Sequence, residues 1–476
     1  MSELRPIGPL LWEIPASARA DMRVPARVFA DGELIEAIRA DRSLEQLQNV
    51  ATLPGIVDAA LAMPDIHQGY GFPVGGIAAT TVPDGVISPG GVGYDINCGV
   101  RLLAAPFTAA ELGGRRERLV HQIARDVPVG TGREGGLRLR GAALDAVLRE
   151  GPRALPPEAG GVPEADLEHT ESRGRLEGAR PEAVSARARE RGARQLGTLG
   201  SGNHFLEAQE VERVLEPQAA AAYGLSEGQV TFLIHSGSRG LGHQVCTDYV
   251  KRMDAALGRH GIRLVDRQLS CAPLSSPEGR DYLGAMAAAA NFAWANRQAI
   301  ANQVRGAVGR VMGPGAAART RQVYDVAHNV AKLEQHGGRP LCVHRKGATR
   351  AFPPGSDDIP ADYARAGQPV FIPGSMGTAS FVLAGRPGAM ERSFATVCHG
   401  AGRQLSRTAA RKRMDGRQLR RELEQAGIVV RCASARGLAE EAPVAYKDVD
   451  RVVAVVAAAG LAAPVARLRP IGVVKG

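Results

Sequence analysis

Aromatic residues are scarce in this chain of 476 residues, at 4% of the total. This scarcity argues against a protein that stacks single-stranded bases on a broad aromatic platform. Any nucleic acid partner is therefore expected to be held mainly by its phosphates. The six cysteines are scattered without a CxxC pair. That spacing argues against a disulfide framework or a zinc ribbon, and it favours a reducing compartment.

Long apolar segments are also missing. The longest apolar run, from Val452 to Ala466, contains Gly and Pro, and it is shorter than the roughly 20 residues that cross a bilayer. The first residues lack the basic start and apolar core that are typical of a signal peptide. The sequence therefore predicts a cytoplasmic protein that has no membrane segment.

The composition and the charge indicate a globular protein with an anionic partner. Apolar residues make up 44% and charged residues 23% of the chain, which is ordinary for a folded domain. Lys and Arg number 59 against 49 for Asp and Glu, a formal net charge of +10. A surplus of this size favours binding to a polyanion such as nucleic acid.

Short apolar runs alternate with Gly, Pro and Asp in three parts of the chain, which predicts strands joined by tight loops. Charged or Ala-rich stretches between them predict helices. The strand-rich parts are 51–104, 196–244 and 323–403, and the helical parts are 33–49, 112–194 and 280–310. Loops that carry potentially reactive residues extend over most of the chain, so one site must be assembled from all of it. We therefore predict a mixed α/β (α+β) fold in a single domain, 1–476, with a peripheral helical insert around 131–190.

Five potential metal ligands occur next to Gly-rich or apolar segments. Asp95 and Cys98 lie three residues apart in GYDINCGV, and His204, His235 and His328 each lie at the edge of an apolar run. Taken singly, each fits a structural role, such as a turn aspartate, a buried cysteine or a hydrogen-bonded histidine. Taken together they can hold one ion, or two ions that share the thiolate, an arrangement suited to phosphoryl or nucleotidyl transfer. By ligand softness alone, zinc or cobalt is expected.

Several Gly-rich segments can present backbone N–H groups to an anion, and one of them contains a histidine. They are 201–203, 235–243, 372–380 and 398–403. None has the Walker A or the Rossmann pattern. His399 lies in CHGAGR, and an imidazole with a pKa near 6.5 is largely neutral and therefore available as a nucleophile toward phosphorus.

A basic segment follows CHGAGR. Arg403, Arg407 and Arg411 are spaced by four residues, which predicts one basic helical face with His399 at the N-terminus of the helix. Such a face suits a polynucleotide end, whereas the alternative is an ordinary solvated helix.

Long motifs along the chain resemble one family, the RtcB RNA ligases. The matching segments are MPDIHQGYGFPVGG, GGVGYDINCGVR, RGARQLGTLGSGNHFLE, HSGSRGLGHQ, AHNVAK, HRKGATRAF, IPGSMGTASFVL, CHGAGRQLSR and RPIGVVKG. The resemblance implies an enzyme that transfers GMP from GTP to a histidine and then to an RNA 3′-phosphate. A 5′-hydroxyl finally displaces the GMP, and a 2′,3′-cyclic phosphate is opened first. The family uses two manganese ions, in place of the zinc or cobalt expected from softness.

The resemblance also implies a role for each matching residue. Cys98 would be shared by both ions, with Asp95 and His204 on one and His235 and His328 on the other. His399 would be the nucleophile that becomes guanylylated. The implied GTP contacts are Asn203, His204, Phe205, Leu206, Glu207, His328, Asn329, Pro373, Gly374, Ser375, Met376, Ser380, His399, Gly400, Ala401, Gly402 and Lys475. The implied RNA or phosphate contacts are Arg239, Lys346, Arg350, Arg403 and Arg407.

Two other classes of protein share part of this pattern. A metallohydrolase, either a phosphatase or a nuclease, explains the metal ligands but gives CHGAGR and Lys475 no role. A non-catalytic RNA-binding factor explains the charge but not the five ligands. The ligase hypothesis includes tRNA halves or cleaved RNA ends as partners, in tRNA splicing or RNA repair. It also includes an archease-type activator, and a monomer is the expected oligomeric state.

Overall fold

The computed structural model describes residues 4–130 and 132–476. Two large sheets dominate this part of the chain, and two short ribbons complete the strands. The strands are β1 Arg5–Gly8, β2 Leu11–Ile14, β3 Ala26–Phe29, β4 Ala60–His67, β5 Val74–Thr81, β6 Val86–Ile87, β7 Gly99–Thr108, β8 Phe205–Val214, β9 Gln229–Ser236, β10 Ala272–Pro273, β11 Arg321–Ala327, β12 Asn329–His336, β13 Arg339–Lys346, β14 Ala348–Arg350, β15 Pro369–Ile372, β16 Ser380–Gly385, β17 Thr396–Cys398, β18 Val429–Cys432 and β19 Ala462–Lys475.

Helices account for a large part of the remaining described chain. They are α1 Gly32–Arg39, α2 Ser43–Val50, α3 Ala109–Leu112, α4 Arg116–Asp126, α5 Gly141–Glu150, α6 Glu164–Glu168, α7 Ala186–Gly192, α8 Pro217–Tyr223, α9 Arg239–Ala256, α10 Pro277–Met312, α11 Pro314–Arg319, α12 Pro387–Ser393, α13 Arg407–Arg413, α14 Gly416–Gln425, α15 Ala435–Glu440 and α16 Val449–Ala458. None of these helices combines the length and the apolar character needed to cross a bilayer. The mixed α/β class predicted from the sequence is confirmed.

The first sheet has the strand order β1-β2-β3-β4-β5-β13-β12 and is antiparallel except where β3 pairs with β4. The second has the order β11-β7-β9-β8-β19-β16-β15, with β18 added parallel to β19. Both sheets also pair strands from distant parts of the sequence, such as β5 with β13 and β8 with β19. The site is therefore assembled by strand pairing and not by proximity along the chain.

The long helix α10 lies in the core and contacts the second sheet as well as α4, α5 and α9. Ser276 caps its first turn by accepting the backbone N–H of Gly279, and proline occupies the first helical position, where no N–H is required. Its middle is rich in buried alanine, whose small side chains let the surrounding elements approach closely. The helix is consequently a scaffold onto which several loops are anchored.

Two of the predicted helices differ in their bounds. The single helix predicted at 33–49 is two helices, α1 and α2, separated at residues 40–42, where Asp41 accepts the backbone N–H of Gln68. The basic helix α13 begins only at Arg407, with Ser406 as its N-cap. Arg403 therefore precedes the helix, and His399 is not at its N-terminus. The loop between them is held instead by backbone bonds to Ala445 and Tyr446.

The described part of the predicted insert, 132–190, packs against α10. Asp166 forms an ion pair with Arg305, and Glu171 forms a buried ion pair with Lys332. These charged contacts join the segment to the core of the molecule. Its status as a peripheral insert of a single ligase domain stays a prediction.

Candidate active site

Strand pairing in the second sheet brings the predicted metal ligands together. The strands β11, β7, β9 and β8 are neighbours, and their registers place Val100 opposite His235 and His235 opposite Phe205. Cys98 directly precedes β7, His204 directly precedes β8, and His328 directly follows β11. The ends of these four adjacent strands therefore bring four of the donors together: Cys98, His204, His235 and His328.

The donor atoms form two overlapping groups. Asp95, Cys98 and His204 make one group, and Cys98, His235 and His328 make the other, with the ligand atoms of each group within 4.8 Å of one another. The Cys98 sulfur lies 3.2 Å from Nε2 of His204 and 3.2 Å from Nε2 of His235. The Nε2 atoms of His235 and His328 are 3.3 Å apart. Cys98 is common to both groups, and these are the two sets of residues that the family resemblance implied.

The chemistry of these donors fits divalent cations. Burial lowers the pKa of His204, His235 and His328, so their imidazoles are neutral and carry a lone pair. Among the described residues, the Nδ1 atoms of His235 and His328 have no hydrogen-bond partner, while their Nε2 atoms converge near the thiol. Burial, followed by the charge of Asp95, raises the pKa of the Cys98 thiol. A coordinated cation reverses that effect because a coordinating thiol is deprotonated.

A buried arginine on α10 holds the ligand-bearing segments. Nη1 of Arg297 donates to the backbone carbonyls of Asn97 at 2.8 Å and Ser236 at 2.9 Å. Nη2 donates to the carboxylate of Asp325 at 2.7 Å. These partners lie one residue from Cys98, one residue from His235 and three residues from His328. The sequence analysis missed Arg297, although a charged residue inside the Ala-rich stretch was a usable signal.

His399 is oriented by an aspartate that the sequence analysis also missed. Nδ1 of His399 donates to Oδ2 of Asp65 at 2.7 Å, and the same oxygen accepts the backbone N–H of His399 at 3.1 Å. In the tautomer that donates this bond, Nε2 is the ring nitrogen that carries the lone pair. The ring lies edge-on to that of His328, with their centroids 4.9 Å apart. Asp65 lies in the motif MPDIHQG, so a signal for it was present in the sequence.

Close approach of the backbone around His399 requires glycine at two positions. A Cβ on Gly347, whose φ is +58°, would lie 3.1 Å from Cε1 of His399 and 2.2 Å from the side chain of Val74. A Cβ on Gly402, whose φ is +76°, would lie 2.2 Å from the backbone oxygen of Asp65. Both conformations favour glycine. These glycines therefore let the His399 loop rest directly on the segment that carries Asp65.

A cavity of about 870 Å³ opens over these groups. It is large enough for a nucleotide. Most of the predicted GTP contacts line it, namely Asn203, Phe205, Glu207, His328, Asn329, Pro373, Gly374, Ser375, Met376, His399, Gly400, Ala401, Gly402 and Lys475. The other three predicted contacts are placed differently. His204 is buried among the metal donors, Leu206 is buried in the core, and Ser380 is buried beneath the wall and accepts a hydrogen bond from Gln209.

One acidic and one basic residue in the cavity are placed by one pair of strands. Lys475 on β19 is opposite Phe205 on β8, and Glu207 lies two residues further along β8 on the same face. The ammonium group of Lys475 lies 5.7 Å from the centre of the Phe205 ring. Burial raises the pKa of Glu207 to about 8, and burial lowers the pKa of Lys475. The end of the chain and the middle of the chain thus share one wall of the cavity.

The predicted RNA contacts fall into two sets. Lys346, Arg403 and Arg407 line the cavity, and burial lowers the pKa of Lys346 to about 7. Arg403 and Arg407 both form ion pairs with Glu441.

Arg239 and Arg350, by contrast, are engaged within the protein. Nη1 of Arg239 lies 2.7 Å from Nδ1 of His204. Arg350 is buried against the ring of Phe352 and donates to Gln368. Lys346 is engaged as well, because it is buried and donates to the backbone carbonyls of Tyr70, Phe72 and Gly90. Contact with RNA stays a prediction for all five residues.

Two donor groups that share a thiol, a histidine oriented by a carboxylate, and a cavity of nucleotide size together fit a metal-dependent enzyme that acts on phosphate groups. Comparisons with known proteins specify the class further. A family model described as "tRNA-splicing ligase RtcB" matches residues 46–476. The chain belongs to the RtcB family of tRNA-splicing ligases, and it is an RNA ligase.

Individual relatives are similar along their whole length. A "tRNA-splicing ligase RtcB" of Thermococcus kodakarensis is 54% identical over 481 residues, covering 100% of this chain and 99% of the relative. A protein of the same description from Archaeoglobus fulgidus is 52% identical over 99% of each chain. An "RNA-splicing ligase RtcB" of Mycobacterium tuberculosis is 52% identical over 90% of this chain and 100% of the relative. The similarity therefore includes every segment that supplies a site residue.

Proposed function

We propose that this protein joins RNA ends that carry a 3′-phosphate or a 2′,3′-cyclic phosphate to RNA ends that carry a 5′-hydroxyl. The reaction uses GTP and passes through a covalent histidine–GMP intermediate on His399. The observation that carries the proposal is the Asp65–His399 pair beside two metal-type donor groups in a cavity of nucleotide size. The enzyme acts in tRNA splicing or RNA repair in the cytoplasm, as a monomer, with an archease-type activator.

Guanylylation begins at Nε2 of His399. This nitrogen attacks the α-phosphorus of GTP, a nitrogen–phosphorus bond forms, and the bond from the α-phosphorus to the bridging oxygen breaks to release pyrophosphate. No base is required, because Nε2 already carries the lone pair. The positive charge that develops on the ring is stabilised by the carboxylate of Asp65, which accepts the hydrogen bond from Nδ1.

Two further displacements complete the reaction. An oxygen of the RNA 3′-phosphate attacks the phosphorus of the bound GMP, the nitrogen–phosphorus bond breaks, and His399 regains its lone pair. The 5′-hydroxyl oxygen then attacks the RNA 3′-phosphorus and loses its proton as GMP leaves. A cyclic phosphate is first opened by water. Two divalent ions, which we assign as manganese held by Asp95, Cys98, His204, His235 and His328, would supply Lewis-acid stabilisation of phosphate charge.

The wall formed by Glu207 and Lys475 suits guanine. A carboxylate accepts hydrogen bonds from N1–H and the 2-amino group of guanine, whereas adenine has neither of these donors. The ammonium group of Lys475 favours the electron-rich O6 side of the base. Asn203 and the glycines around His399 line the rest of the cavity, where the phosphates would lie. These contacts support a preference for GTP over ATP.

A metallohydrolase that uses the same donors is the alternative. A hydrolase does not require a histidine oriented by a carboxylate above the donors, nor a charged pair suited to guanine. Both features are explained by transfer of GMP.

Incubation of the purified protein with α-labelled GTP and manganese tests the proposal. The protein should acquire a label that acid removes and mild base does not, as expected for a phosphoramidate. His399→Ala should acquire no label, yet it should still seal RNA that already carries a 3′ guanylyl cap, because that step does not need the histidine. A label that persists in His399→Ala, or a wild-type protein that is never labelled, would contradict the proposal.

A further inference from the structure

Three aromatic rings from separate segments form a continuous row beside the metal donors. Tyr70 follows β4, Tyr94 directly precedes Asp95, and His243 lies in the second turn of α9. The ring centroids of Tyr70 and Tyr94 are 5.0 Å apart, and those of Tyr94 and His243 are 4.8 Å apart, with the latter pair stacked. We refer to these residues as the aromatic strip. Such a row is notable in a chain with so few aromatic residues.

The strip runs from the cavity to the surface. Tyr94 lines the cavity, Tyr70 and Tyr94 are half-buried, and His243 is exposed. The His243 ring stacks on Tyr94 while the residue as a whole is exposed to solvent. A ring left open to solvent in this way contributes little to the core, which leaves a planar surface available next to the site.

Cations surround the aromatic strip. The ammonium group of Lys346 lies 6.0 Å from the centre of the Tyr70 ring and donates to the backbone carbonyl of that residue. Arg239 lies one turn before His243 on α9. Arg191 donates to Gln244, the neighbour of His243. Arg239 and Lys346 are engaged by protein groups, so they contribute positive potential around the strip and the rings supply the contact to a base.

We propose that the aromatic strip is a stacking site for a nucleobase within the first few nucleotides of an RNA end bound at the metal donors. This inference rests on the proposed RNA ligase reaction and adds a contact to the base. Because Tyr94 and Asp95 are adjacent in the chain, a base on the strip lies near the reacting phosphate. The surface recognises any planar base, so it tolerates many sequences. RNA ends of different origin can therefore be held in the same way.

The test compares RNA pairs in which one nucleotide near the reacting end lacks its base. The abasic nucleotide is placed at the first, second or third position of either the 3′-phosphate strand or the 5′-hydroxyl strand. Wild-type protein should show an approximately tenfold higher KM at one of these positions, since stacking on one base contributes about 1–3 kcal/mol. The RNA strand in which the abasic nucleotide raises the KM is the strand that occupies the aromatic strip.

Substitutions in the strip complete a double-mutant cycle. His243→Ala should raise the KM for intact RNA about tenfold, and the abasic nucleotide should then cause no further increase. His243→Phe should retain the wild-type KM because it retains a ring. Thr247→Ala, one turn further along the same helix, is the matched control. Multiplicative effects of His243→Ala and the abasic nucleotide, or no effect of either, would overturn the proposal.

Two additional measurements separate this inference from the ligase reaction itself. Labelling by GTP without RNA reports the proposed function, and equilibrium binding of fluorescent RNA reports the strip without any catalysis. A wild-type protein that is never labelled but still shows the abasic effect on binding would retain the strip and exclude the reaction. Normal labelling, combined with RNA binding that is insensitive to both changes, would exclude the strip alone.

Discussion

The carboxylate of Asp65 lies 2.7 Å from Nδ1 of His399 and also accepts the backbone N–H of His399, across 334 residues of sequence. One oxygen thereby fixes both the ring and the loop that carries it. The backbone near Asp65 is itself anchored by Lys447, whose ammonium group donates to the carbonyls of Pro64 at 3.0 Å and Ile66 at 2.5 Å. The proposed nucleophile is therefore held by a buried network of contacts within the protein.

Asp65→Asn should reduce the rate of guanylylation by about 100-fold or more, because an amide neither fixes the tautomer nor stabilises the positive ring. The measurement is the rate of labelling by α-labelled GTP. Sealing of RNA that already carries a 3′ guanylyl cap should be affected much less. An equal loss in both assays would indicate that Asp65 supports the site as a whole.

Cys98→Ala should remove both ions and abolish guanylylation and ligation together, because the thiolate is common to both donor groups. Metal content after dialysis, measured by elemental analysis, checks the expectation. Cys246→Ala and Cys432→Ala are the controls, because these cysteines lie outside both groups. A Cys98→Ala protein with near-normal manganese content would show that the ligand is not shared.

Arg297→Lys should weaken manganese binding by roughly 10–100-fold, the usual cost of losing a residue that orients metal ligands. The lysine cannot reproduce the simultaneous bonds to Asn97, Ser236 and Asp325. Arg305→Lys is the matched control, because Arg305 lies on the same helix and pairs with Asp166, away from the donors. Titration of the metal-free proteins with manganese provides the measurement. Equal manganese affinities in the two variants would show that Arg297 only stabilises the fold. Thermal unfolding would then report its contribution.

The affinity for GTP should rise as pH increases from about 6.5 to about 8.5. Burial raises the pKa of Glu207 to about 8, so the carboxyl group is largely protonated below that pH and accepts hydrogen bonds from guanine poorly. Ionisation above that pH restores the acceptor. Glu207→Gln should flatten this profile and reduce the preference for GTP over ATP, as measured by equilibrium nucleotide binding. A wild-type affinity that is constant over this range would contradict the assignment.

The same raised pKa has a consequence for the stability of the nucleotide-free protein. The unfolded chain has a carboxyl group with the ordinary pKa of 4.5 and therefore binds fewer protons than the folded chain between that pH and about 8. The contribution of Glu207 to the free energy of unfolding consequently falls as pH rises through this window. Glu207→Gln should remove this pH-dependent loss of stability. Thermal unfolding of the wild-type and variant proteins at pH 5 and pH 8 measures the difference between them.

The sequence by itself determined the fold class, the family and the identity of the chemical groups. The sequence alone predicts five metal ligands, because each stands in a short segment whose residue types suit a ligand: Asp95, Cys98, His204, His235 and His328. His399 is predicted as a nucleophile in the same way. Information of this kind is local, since it depends on a side chain and its immediate neighbours in the chain.

Tertiary structure alone decided which residues hold those groups in place. Asp65 contacts His399, and Arg297 contacts Asn97, only because pairing of distant strands and the course of α10 bring them together. Backbone bonds to Ala445 and Tyr446 hold the loop after His399, so the basic helix begins only at Arg407 and Arg403 lies outside it. A hydrogen bond across hundreds of residues leaves no periodic pattern in the sequence. It is fixed by sheet order and register, which depend on burial of the whole core.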